Sequence, residues 1–443
     1  MLQRSRPSRP LAMTSLEPQP SPPALVGQYE ILCELGRGGM AVLYLARLVG
    51  LGGFERLFAL KMIHDDLGRD PAFVQMFLDE ARLVARIRHP NVVPVYEVGV
   101  DRGRYFIAMD YVSGETLGAA LAATWPRQRP FPIALAMHII AMAGEGLHAA
   151  HELTDQRGQS LGVIHRDVAP GNIMLGYDGA VRVMDFGVAK AIDQGGGASP
   201  DALKGTLAYM APELMRGISR ADRRADVFAL GVLLWEMCVG KRLFKGRTDV
   251  ETARRVMKLD VPVPSKGRPE ISPALDDVIL RALAREPGQR PATARALSEE
   301  LQQVLASSGH VTTSGDVERF LREHFAERLE KRREMERKAA QETVPDDLAG
   351  VVIEEEPPLP EQVDDADIEP LSDDEVGRAP LETAAPLESV VVTPVASGLD
   401  ASSAPSPSSV SSVWRAPEPE ASDASALELR AGGLVGLGAG RRR

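Results

Sequence analysis

The residues best suited to chemistry in this 443-residue chain lie close together in sequence. Asp167 and Asn172 are five positions apart in the segment HRDVAPGN, and Asp185 follows thirteen positions after Asn172. Amide and carboxylate oxygens are ligands that Mg²⁺ accepts, so Asn172 and Asp185 form a candidate magnesium site. The second carboxylate, Asp167, would then orient a hydroxyl group. Each residue alone could serve in a turn, but their order and spacing favour a catalytic site.

A glycine-rich turn and a lysine precede this segment. Glycine lets backbone N–H groups approach phosphate oxygens closely, although a tight hairpin turn would use the same residues. Lys61 ends the apolar run FALK, from which its ammonium could reach a cleft below the turn. A lysine on its own more often extends its charge to solvent. A buried lysine needs a counter-charge, and Glu80 in the following helical stretch is the natural candidate.

The elements that must position these groups form two regions. Residues 28–112 alternate short β-like runs (YEILCEL, AVLYLARL, RLFALKMI, VVPVYEVGV and YFIAMDYV) with one helical stretch, Phe73 to Ile87. Residues 113–305 are mostly helical, with β-like runs at GVIH and VRVMDFG. The segment Phe228 to Cys238 is apolar almost all round, which is typical of a buried helix. The pattern predicts an α+β protein with a small sheet-rich lobe and a larger helical lobe.

Residues 316–340 form a further predicted helix. Its apolar stripe has helical spacing and comprises Val317, Phe320, Leu321, Phe325 and Leu329. Beyond Leu329 the sequence is almost wholly charged. We expect a helix that packs on the second lobe and then runs into solvent, and a partner-binding or dimer helix is the alternative.

Charge separates the C-terminal part from the rest. Residues 341–443 contain 21 acidic and 6 basic side chains, a net charge of −15, whereas the remaining residues have a net charge of +4. The acidic part is rich in Pro, Ser and Ala, and such a composition buries too little apolar surface to fold. We expect residues 1–27 and 341–443 to be disordered. Residues 28–305 should form the folded core, with a helical extension at 306–340.

Composition excludes several functions. The near-neutral body lacks the strongly basic balance of a nucleic-acid-binding protein. Cys33 and Cys238 lie far apart with no Cys/His cluster, which indicates neither disulfides nor structural zinc and favours a reducing compartment. The basic N-terminal segment lacks the apolar core of a signal peptide, and no long apolar run predicts a membrane span. These features predict a cytoplasmic protein.

The ordered motifs resemble those of the eukaryotic-like (Hanks-type) protein kinase family, in its bacterial serine/threonine form. The resemblance covers about residues 28–305. It rests on the glycine-rich turn, the strand lysine, the helix glutamate, HRD with its Asn, Asp185-Phe186-Gly187, and Ala211-Pro212-Glu213, in the family's order. It extends to Asp226, which in the family braces the catalytic loop, and to Arg290, which pairs with the glutamate of Ala-Pro-Glu.

The resemblance implies a role for each matched position. Asp167 would orient the substrate hydroxyl, Lys61 held by Glu80 would contact the α- and β-phosphates of ATP, and Asn172 with Asp185 would hold Mg²⁺, with Mn²⁺ as an alternative ion. The segment that would cover the phosphates comprises Gly36, Arg37, Gly38, Gly39, Met40, Ala41, Val42 and Leu43. The adenine pocket would comprise Leu35, Ala59, the gatekeeper Met109 and the hinge residues Asp110, Tyr111 and Val112.

Two positions depart from the family pattern. Ala41 replaces the third glycine, with a slight expected effect. Ala169 stands where serine/threonine kinases usually carry a lysine that neutralises the transferred phosphoryl group, and tyrosine kinases can carry alanine there. The family's activity, transfer of phosphoryl groups to protein substrates, therefore has two alternatives: a pseudokinase scaffold and a small-molecule phosphotransferase. Ser199, between Phe186 and Ala208, is the expected site of autophosphorylation. Partner proteins would bind through the 316–340 helix or the acidic tail.

Overall fold

The structure is a computed structural model that describes residues 25–50, 55–125, 131–186, 207–217, 221–309 and 311–339. Gly187, Ser199 and the tail at 341–443 lie outside these residues. Of the N-terminal segment expected to be disordered, only residues 25–27 are described. The strands are Leu25–Val26 (β1), Tyr29–Arg37 (β2), Ala41–Val49 (β3), Glu55–Ile63 (β4), Val95–Asp101 (β5), Arg104–Asp110 (β6), Gly114–Thr116 (β7), Ile173–Gly176 (β8) and Val181–Val183 (β9). The helices are Pro71–Val84 (α1), Leu117–Thr124 (α2), Ile133–His151 (α3), Pro212–Met215 (α4), Arg224–Val239 (α5), Asp249–Lys258 (α6), Pro264–Gly267 (α7), Pro273–Ala282 (α8), Ala294–Ser307 (α9), Ser314–His324 (α10) and Ala326–Ala339 (α11).

The N-terminal lobe is an antiparallel sheet with strand order β1-β2-β3-β4-β6-β5. Because successive side chains in a strand point to opposite faces, Phe58 and Leu60 of β4 pack in one apolar layer, whereas Ala59 belongs to another. Lys61 is two residues after Ala59 and so points to the same face of the sheet, and it pairs in register with Leu43 and Ile107. The alternation therefore places Lys61 on the face that Ala59 and Leu43 also use.

Helix α1 packs against this same face. Its first turn is fixed by Pro71 and by the Asp70 carboxylate, which accepts a hydrogen bond from Ala72 N at 2.9 Å. Phe77 and Ala81 are buried in the layer that contains Ala59. The helix thus brings its last two turns, which include position 80, beside the strand that carries Lys61.

The C-terminal lobe is built around two buried helices, α3 and α5. Helix α5 buries every residue from Ala225 to Cys238, as its all-round apolar sequence predicts. Among the described residues, α3 is the helix long and apolar enough to cross a membrane, but 67% of that apolar window is buried inside the protein. Its composition is accounted for by its place in the core of this lobe. The predicted α+β architecture with two lobes is confirmed.

The β-like run at GVIH is not a strand. Residues 162–165 belong to neither sheet, Gly162 has a left-handed φ of 60°, and the small second sheet instead has the order β7-β8-β9. The physical reason is visible at His165, whose backbone N–H donates to the Asp226 carboxylate at 2.8 Å. A side chain replaces the neighbouring strand as hydrogen-bond acceptor, so this run forms a loop.

The C-terminal extension differs from the single predicted helix. It divides into α10 and α11 at Phe325, whose φ of −129° is not helical. Helix α10 packs on the C-terminal lobe through Val317, Phe320 and Leu321, as its stripe predicts. The expectation that the charged part runs into solvent is wrong, because Met335 of α11 is buried in a cluster with Leu32, Cys33 and Leu45 of the N-terminal lobe.

Candidate active site

A cavity of about 550 Å³ opens between the two lobes, a size typical of sites for small organic ligands. Its apolar lining on the sheet side comes from side chains that the strand alternation directs to one face. Of the predicted nucleotide-binding residues, the lining contains Leu35, Gly36, Arg37, Leu43, Ala59, Met109, Asp110, Tyr111 and Val112. The structure therefore brings the predicted adenine pocket together around one space.

Val42 is positioned differently from this set. Its side chain is buried in the layer on the opposite face of the sheet, with Tyr44 and Leu60. Only its backbone could face a nucleotide, so its prediction as a cofactor-binding residue applies to the main chain.

The glycine-rich turn connects β2 and β3 above the cavity. Its backbone closes through Gly38 N, which donates to the Ala41 carbonyl at 2.9 Å. A Cβ at Gly36 or Gly39 would meet no atom within 4 Å, and neither residue has the positive φ that favours glycine. Packing and backbone conformation therefore leave glycine optional here, and close approach of a ligand accounts for it better than a hairpin turn does.

Lys61 and Asp185 meet at the inner end of the cleft. The Lys61 ammonium lies 2.8 Å from Asp185 Oδ1, and both side chains are partly buried. Ala81, the neighbour of Glu80 in helix α1, lines the small space beside this pair. The side chain of Glu80 itself lies outside the described part of the chain, so its pairing with Lys61 stays a prediction.

Asp167 and Asn172 are held together by the catalytic-loop backbone. Asn172 Nδ2 donates to the Asp167 carbonyl at 2.7 Å and to its carboxylate at 3.2 Å. The Asn172 carbonyl in turn accepts from Met184 N at 3.0 Å, which fixes the position next to Asp185. Asp167, Asn172 and Asp185, separated in sequence, thus form one polar cluster.

This cluster fits a divalent cation. Because the Asn172 amide nitrogen is directed to Asp167, the amide oxygen is the atom that can face an ion. The Asp185 carboxylate remains 29% exposed toward the cleft. One amide oxygen and a carboxylate are ligands suited to Mg²⁺, which is usually completed by water and substrate phosphates.

A buried carboxylate holds the catalytic loop in place. Asp226, which is 1% exposed, accepts hydrogen bonds from His165 N at 2.8 Å and Arg166 N at 2.9 Å. Its Oδ2 is also 2.7 Å from His151 Nε2. Arg166 has a φ of 63°, a left-handed conformation that is strained for a side-chain-bearing residue. The Asp226 carboxylate therefore stabilises the backbone directly before Asp167 in a conformation that is otherwise unfavourable.

His165 has a structural role. Its ring is fully buried, with Nε2 3.0 Å from the Met184 carbonyl and Nδ1 accepting from Asp167 N at 3.2 Å. It also contacts the Phe186 ring, at 4.5 Å between centroids. Both ring nitrogens are occupied by backbone groups, so His165 orients the two acidic segments and does not exchange protons with a substrate.

Glu213 and Arg290 form a buried ion pair below the site. Their two hydrogen bonds measure 2.7 and 2.8 Å, and each residue is 5% exposed. Arg290 also donates to three backbone carbonyls, of Ala284, Arg224 and Arg285. This pair ties the segment after the cleft to the C-terminal lobe, as the resemblance implied.

The comparison with protein families agrees with this geometry. A family model described as a protein kinase domain matches residues 29–302. The chain belongs to the protein kinase family. The match covers both lobes of the kinase and ends before helices α10 and α11.

The kinase is similar to curated bacterial proteins. It is 39% identical over 303 residues to the tyrosine-protein kinase MasK of Myxococcus xanthus, which covers 68% of this chain and 46% of MasK. It is 38% identical over 289 residues to the serine/threonine-protein kinase PknB of Mycobacterium leprae, covering 64% and 44%. For PrkC of Bacillus subtilis, a serine/threonine-protein kinase, the identity is 30% over 276 residues, covering 62% and 40%. The chain thus spans less than half the length of these relatives.

Among solved structures, the kinase domain of PknI from Mycobacterium tuberculosis is 28% identical. The alignment covers 63% of this chain and 96% of that domain, with a TM-score of 0.49.

Sequence reasoning missed several residues that line the kinase cleft: Val93, Gly114, Glu115, Thr116, Met174, Met184, Arg328 and Arg332. Val93 and the two methionines are ordinary apolar residues whose position only the fold reveals. Arg328 and Arg332 belong to α11, and their charged surroundings gave no signal that they would face a cleft. Glu115 is charged but 2% exposed, which the sequence does not indicate.

Proposed function

We propose that this kinase transfers the γ-phosphoryl group of ATP, with Mg²⁺, to serine or threonine hydroxyls of proteins, including its own. The observation that carries the proposal is the 2.8 Å contact between Lys61 and Asp185 beside the Asp167–Asn172 pair. This arrangement places a cation for the nucleotide phosphates, oxygen ligands for a metal and a carboxylate for the acceptor hydroxyl at one end of an adenine-sized cavity.

Each group has a distinct task in this proposal. Lys61 binds and orients the α- and β-phosphates, and Asn172 with Asp185 holds Mg²⁺. When bound, the ion neutralises charge on the phosphates. The Asp167 carboxylate accepts a hydrogen bond from the acceptor hydroxyl and so aligns its oxygen with the γ-phosphorus. Positioning and charge stabilisation then provide most of the rate.

A protein acceptor is supported by the buried Glu213–Arg290 pair. In the resemblance this pair belongs to the platform that binds protein substrates, which small-molecule phosphotransferases of similar fold do not need. The presence of Lys61, Asp167, Asn172 and Asp185 in one cluster speaks against the pseudokinase alternative. Autophosphorylation at Ser199 also belongs to the proposal.

The class of acceptor hydroxyl has two candidates. Serine/threonine specificity is supported by Pro170 after the catalytic-loop alanine and by similarity to PknB and PrkC, which are named serine/threonine kinases. Tyrosine specificity is the second candidate, because Ala169 replaces the usual lysine and MasK is named a tyrosine kinase. We favour serine and threonine because Pro170 and the similarity to PknB and PrkC agree on it.

We place this activity in cytoplasmic signalling. The two free cysteines, Cys33 and Cys238, are both buried as thiols, which suits a reducing compartment.

Radiolabelled ATP with a generic protein substrate tests the proposal. We expect wild-type protein to label the substrate and itself, Asp167→Asn to lose most labelling, and Asp277→Asn, the same change at an exposed position, to keep it. Phosphoamino-acid analysis should yield phosphoserine or phosphothreonine, and phosphotyrosine alone would select the second candidate. Equal labelling by wild type and Asp167→Asn would contradict the assignment of Asp167, and nucleotide binding without labelling would indicate a pseudokinase.

A further inference from the structure

Helix α11, Ala326–Ala339, crosses the cleft on the side of the hinge; we name it the C-terminal strap. One face of the strap is directed to the protein: Leu329 and Met335 are buried, and Arg332 lies between them at a spacing of three residues. The opposite face is exposed, including Glu330 and Arg333. The strap lies outside residues 29–302, which match the family model.

The strap is anchored to the C-terminal lobe through the helix before it. Phe320 of α10 packs against Phe131, at 4.7 Å between ring centroids. The β8–β9 turn approaches the start of α10 closely, because a Cβ at Gly179 would lie 2.1 Å from the Ser314 carbonyl. Gly179 also has a φ of 79°, so both the close contact and the backbone conformation require glycine there. This anchor is both tight and local.

At its middle the strap neutralises a buried charge next to the hinge. The Glu115 carboxylate lies 2.8 Å from Arg328 and 3.5 Å from Arg332, and it accepts a hydrogen bond from the Tyr177 hydroxyl at 2.8 Å. A carboxylate that is 2% exposed requires such partners. Arg332 also donates to the hydroxyl of Tyr111, a hinge residue, at 3.4 Å.

At its upper end the strap contacts the N-terminal lobe. Met335 is 5% exposed, and its sulfur is 3.5 Å from Cys33 Sγ. Leu45 in the neighbouring strand is in the same cluster and is fully buried. One helix is thus fixed to both lobes and to the hinge between them.

The strap forms a wall of the cavity and does not fill it. Arg328 and Arg332 line the same space as Leu35, Ala59 and Met109, and about 550 Å³ stays open. A segment that inhibits by blocking nucleotide binding would occupy this volume. The geometry therefore indicates that the strap is a component of the binding site.

We propose that the C-terminal strap is part of the nucleotide site, with Arg332 as a positioning residue that holds the hinge in its nucleotide-binding form. Two lobes joined by a hinge open and close around a ligand, and a helix fixed to both restricts that motion. The strap therefore favours the nucleotide-bound arrangement and raises affinity for ATP. This inference rests on the proposed function, since it requires that the cavity bind ATP.

Full-length variants test the role of the strap. Arg332→Ala removes the contacts with Glu115 and Tyr111, Met335→Ala weakens the anchor on the N-terminal lobe, and Arg333→Ala is a matched control on the exposed face. The dissociation constant of Mg·ATP is measured by calorimetry, and KM and kcat are measured with a protein substrate. Thermal melting confirms that each variant is folded.

We expect both Arg332→Ala and Met335→Ala to raise the dissociation constant and the KM for ATP about five-fold or more, the lower range of coupling between distant sites. The KM for the protein substrate and kcat should change by less than about two-fold, since the reacting groups are untouched. Arg333→Ala should match wild type, and Arg332→Lys, which keeps a cation beside Glu115, should recover part of the affinity. General loosening of the fold would instead lower kcat and raise both KM values.

The outcomes separate the two proposals. If wild type binds ATP and folded Arg332→Ala and Met335→Ala bind it equally well, the role of the strap is refuted and the proposed function stands. If wild type binds no nucleotide, the proposed function fails and this inference fails with it.

Discussion

Replacing Asp226 by asparagine should disconnect the catalytic loop from the core of the C-terminal lobe. Asp226 Oδ2 accepts from His165 N and lies at hydrogen-bond distance from His151 Nε2, whereas Oδ1 accepts from Arg166 N. In Asp226→Asn the amide oxygen can replace only one carboxylate oxygen. If it takes the place of Oδ2, the amide NH₂ group faces the Arg166 N–H, and two donors oppose each other.

The cost follows from these contacts. Losing one hydrogen bond to a charged acceptor costs about 1.5–3 kcal/mol. The two bonds that remain become neutral and lose roughly half their strength, about 1 kcal/mol each. We therefore expect the free energy of unfolding to fall by about 3–5 kcal/mol, a large part of the ~5–15 kcal/mol typical of native proteins.

The same change should lower activity. The left-handed backbone at Arg166 has a conformational cost of about 1–3 kcal/mol, and it keeps this form while its N–H is bound. Once released, the loop relaxes and displaces Asp167, and a displacement of about 1 Å can reduce a rate about 10²-fold. Urea titration gives the stability, and labelling with saturating ATP gives kcat, with Asp277→Asn as the control for the same substitution. A stability change below about 1 kcal/mol together with an unchanged kcat would refute the assignment of Asp226 as the brace of the loop.

Three further predictions concern the catalytic loop, the tail and the pH dependence of stability. Ala169→Lys should leave kcat equal or higher, because single charge-stabilising groups can contribute about 10²–10³ in rate; a folded variant well below wild type would mean that the pocket is built around alanine. A chain that ends at Glu342 should fold and phosphorylate a generic substrate, since the acidic, Pro/Ser/Ala-rich composition beyond it is typical of segments that do not fold; insolubility or inactivity would contradict this boundary. Burial, with the nearby Arg295, lowers the pKa of His148, so its neutral form stabilises the fold above about pH 6.5. Unfolding free energy measured in urea should therefore fall from pH 7.5 to 5.5, by at most about 1.4 kcal/mol per pH unit for one proton, and less steeply in His148→Gln; equal slopes would exclude His148.

Much of the site could be predicted because its chemistry depends on residue types at short spacings. Only the catalytic loop and the segment after β9 are needed to bring Asp167, Asn172 and Asp185 together. Lys61 was assigned to the cleft from the end of an apolar run, and the period of two along β4 explains why it lies there. Local sequence patterns suffice to place these residues, since each position is determined within one strand or loop or between consecutive elements.

The errors arise where a distant partner determines the outcome. GVIH has the composition of a strand, but the Asp226 carboxylate, sixty-one residues from His165, accepts its hydrogen bond. The charged segment after Leu329 has the composition of a solvated helix, but its Arg332 pairs with the buried Glu115 and its Met335 contacts Cys33. A buried charge far along the chain leaves no periodic signal in sequence.

The contact between Cys33 and Met335 joins residues 302 positions apart. At a synthesis rate of ~5–20 residues per second, roughly 15–60 s pass between the two leaving the ribosome. Throughout that interval Met335 is absent from its cluster with Leu32, Cys33 and Leu45. The thiol and the leucine side chains on this side of β2 and β3 are then open to solvent. A nascent chain of this kind therefore exposes an apolar surface until helix α11 has been synthesised. We therefore expect chains stalled before residue 335 to depend more on chaperones, and to aggregate more, than chains that have passed it.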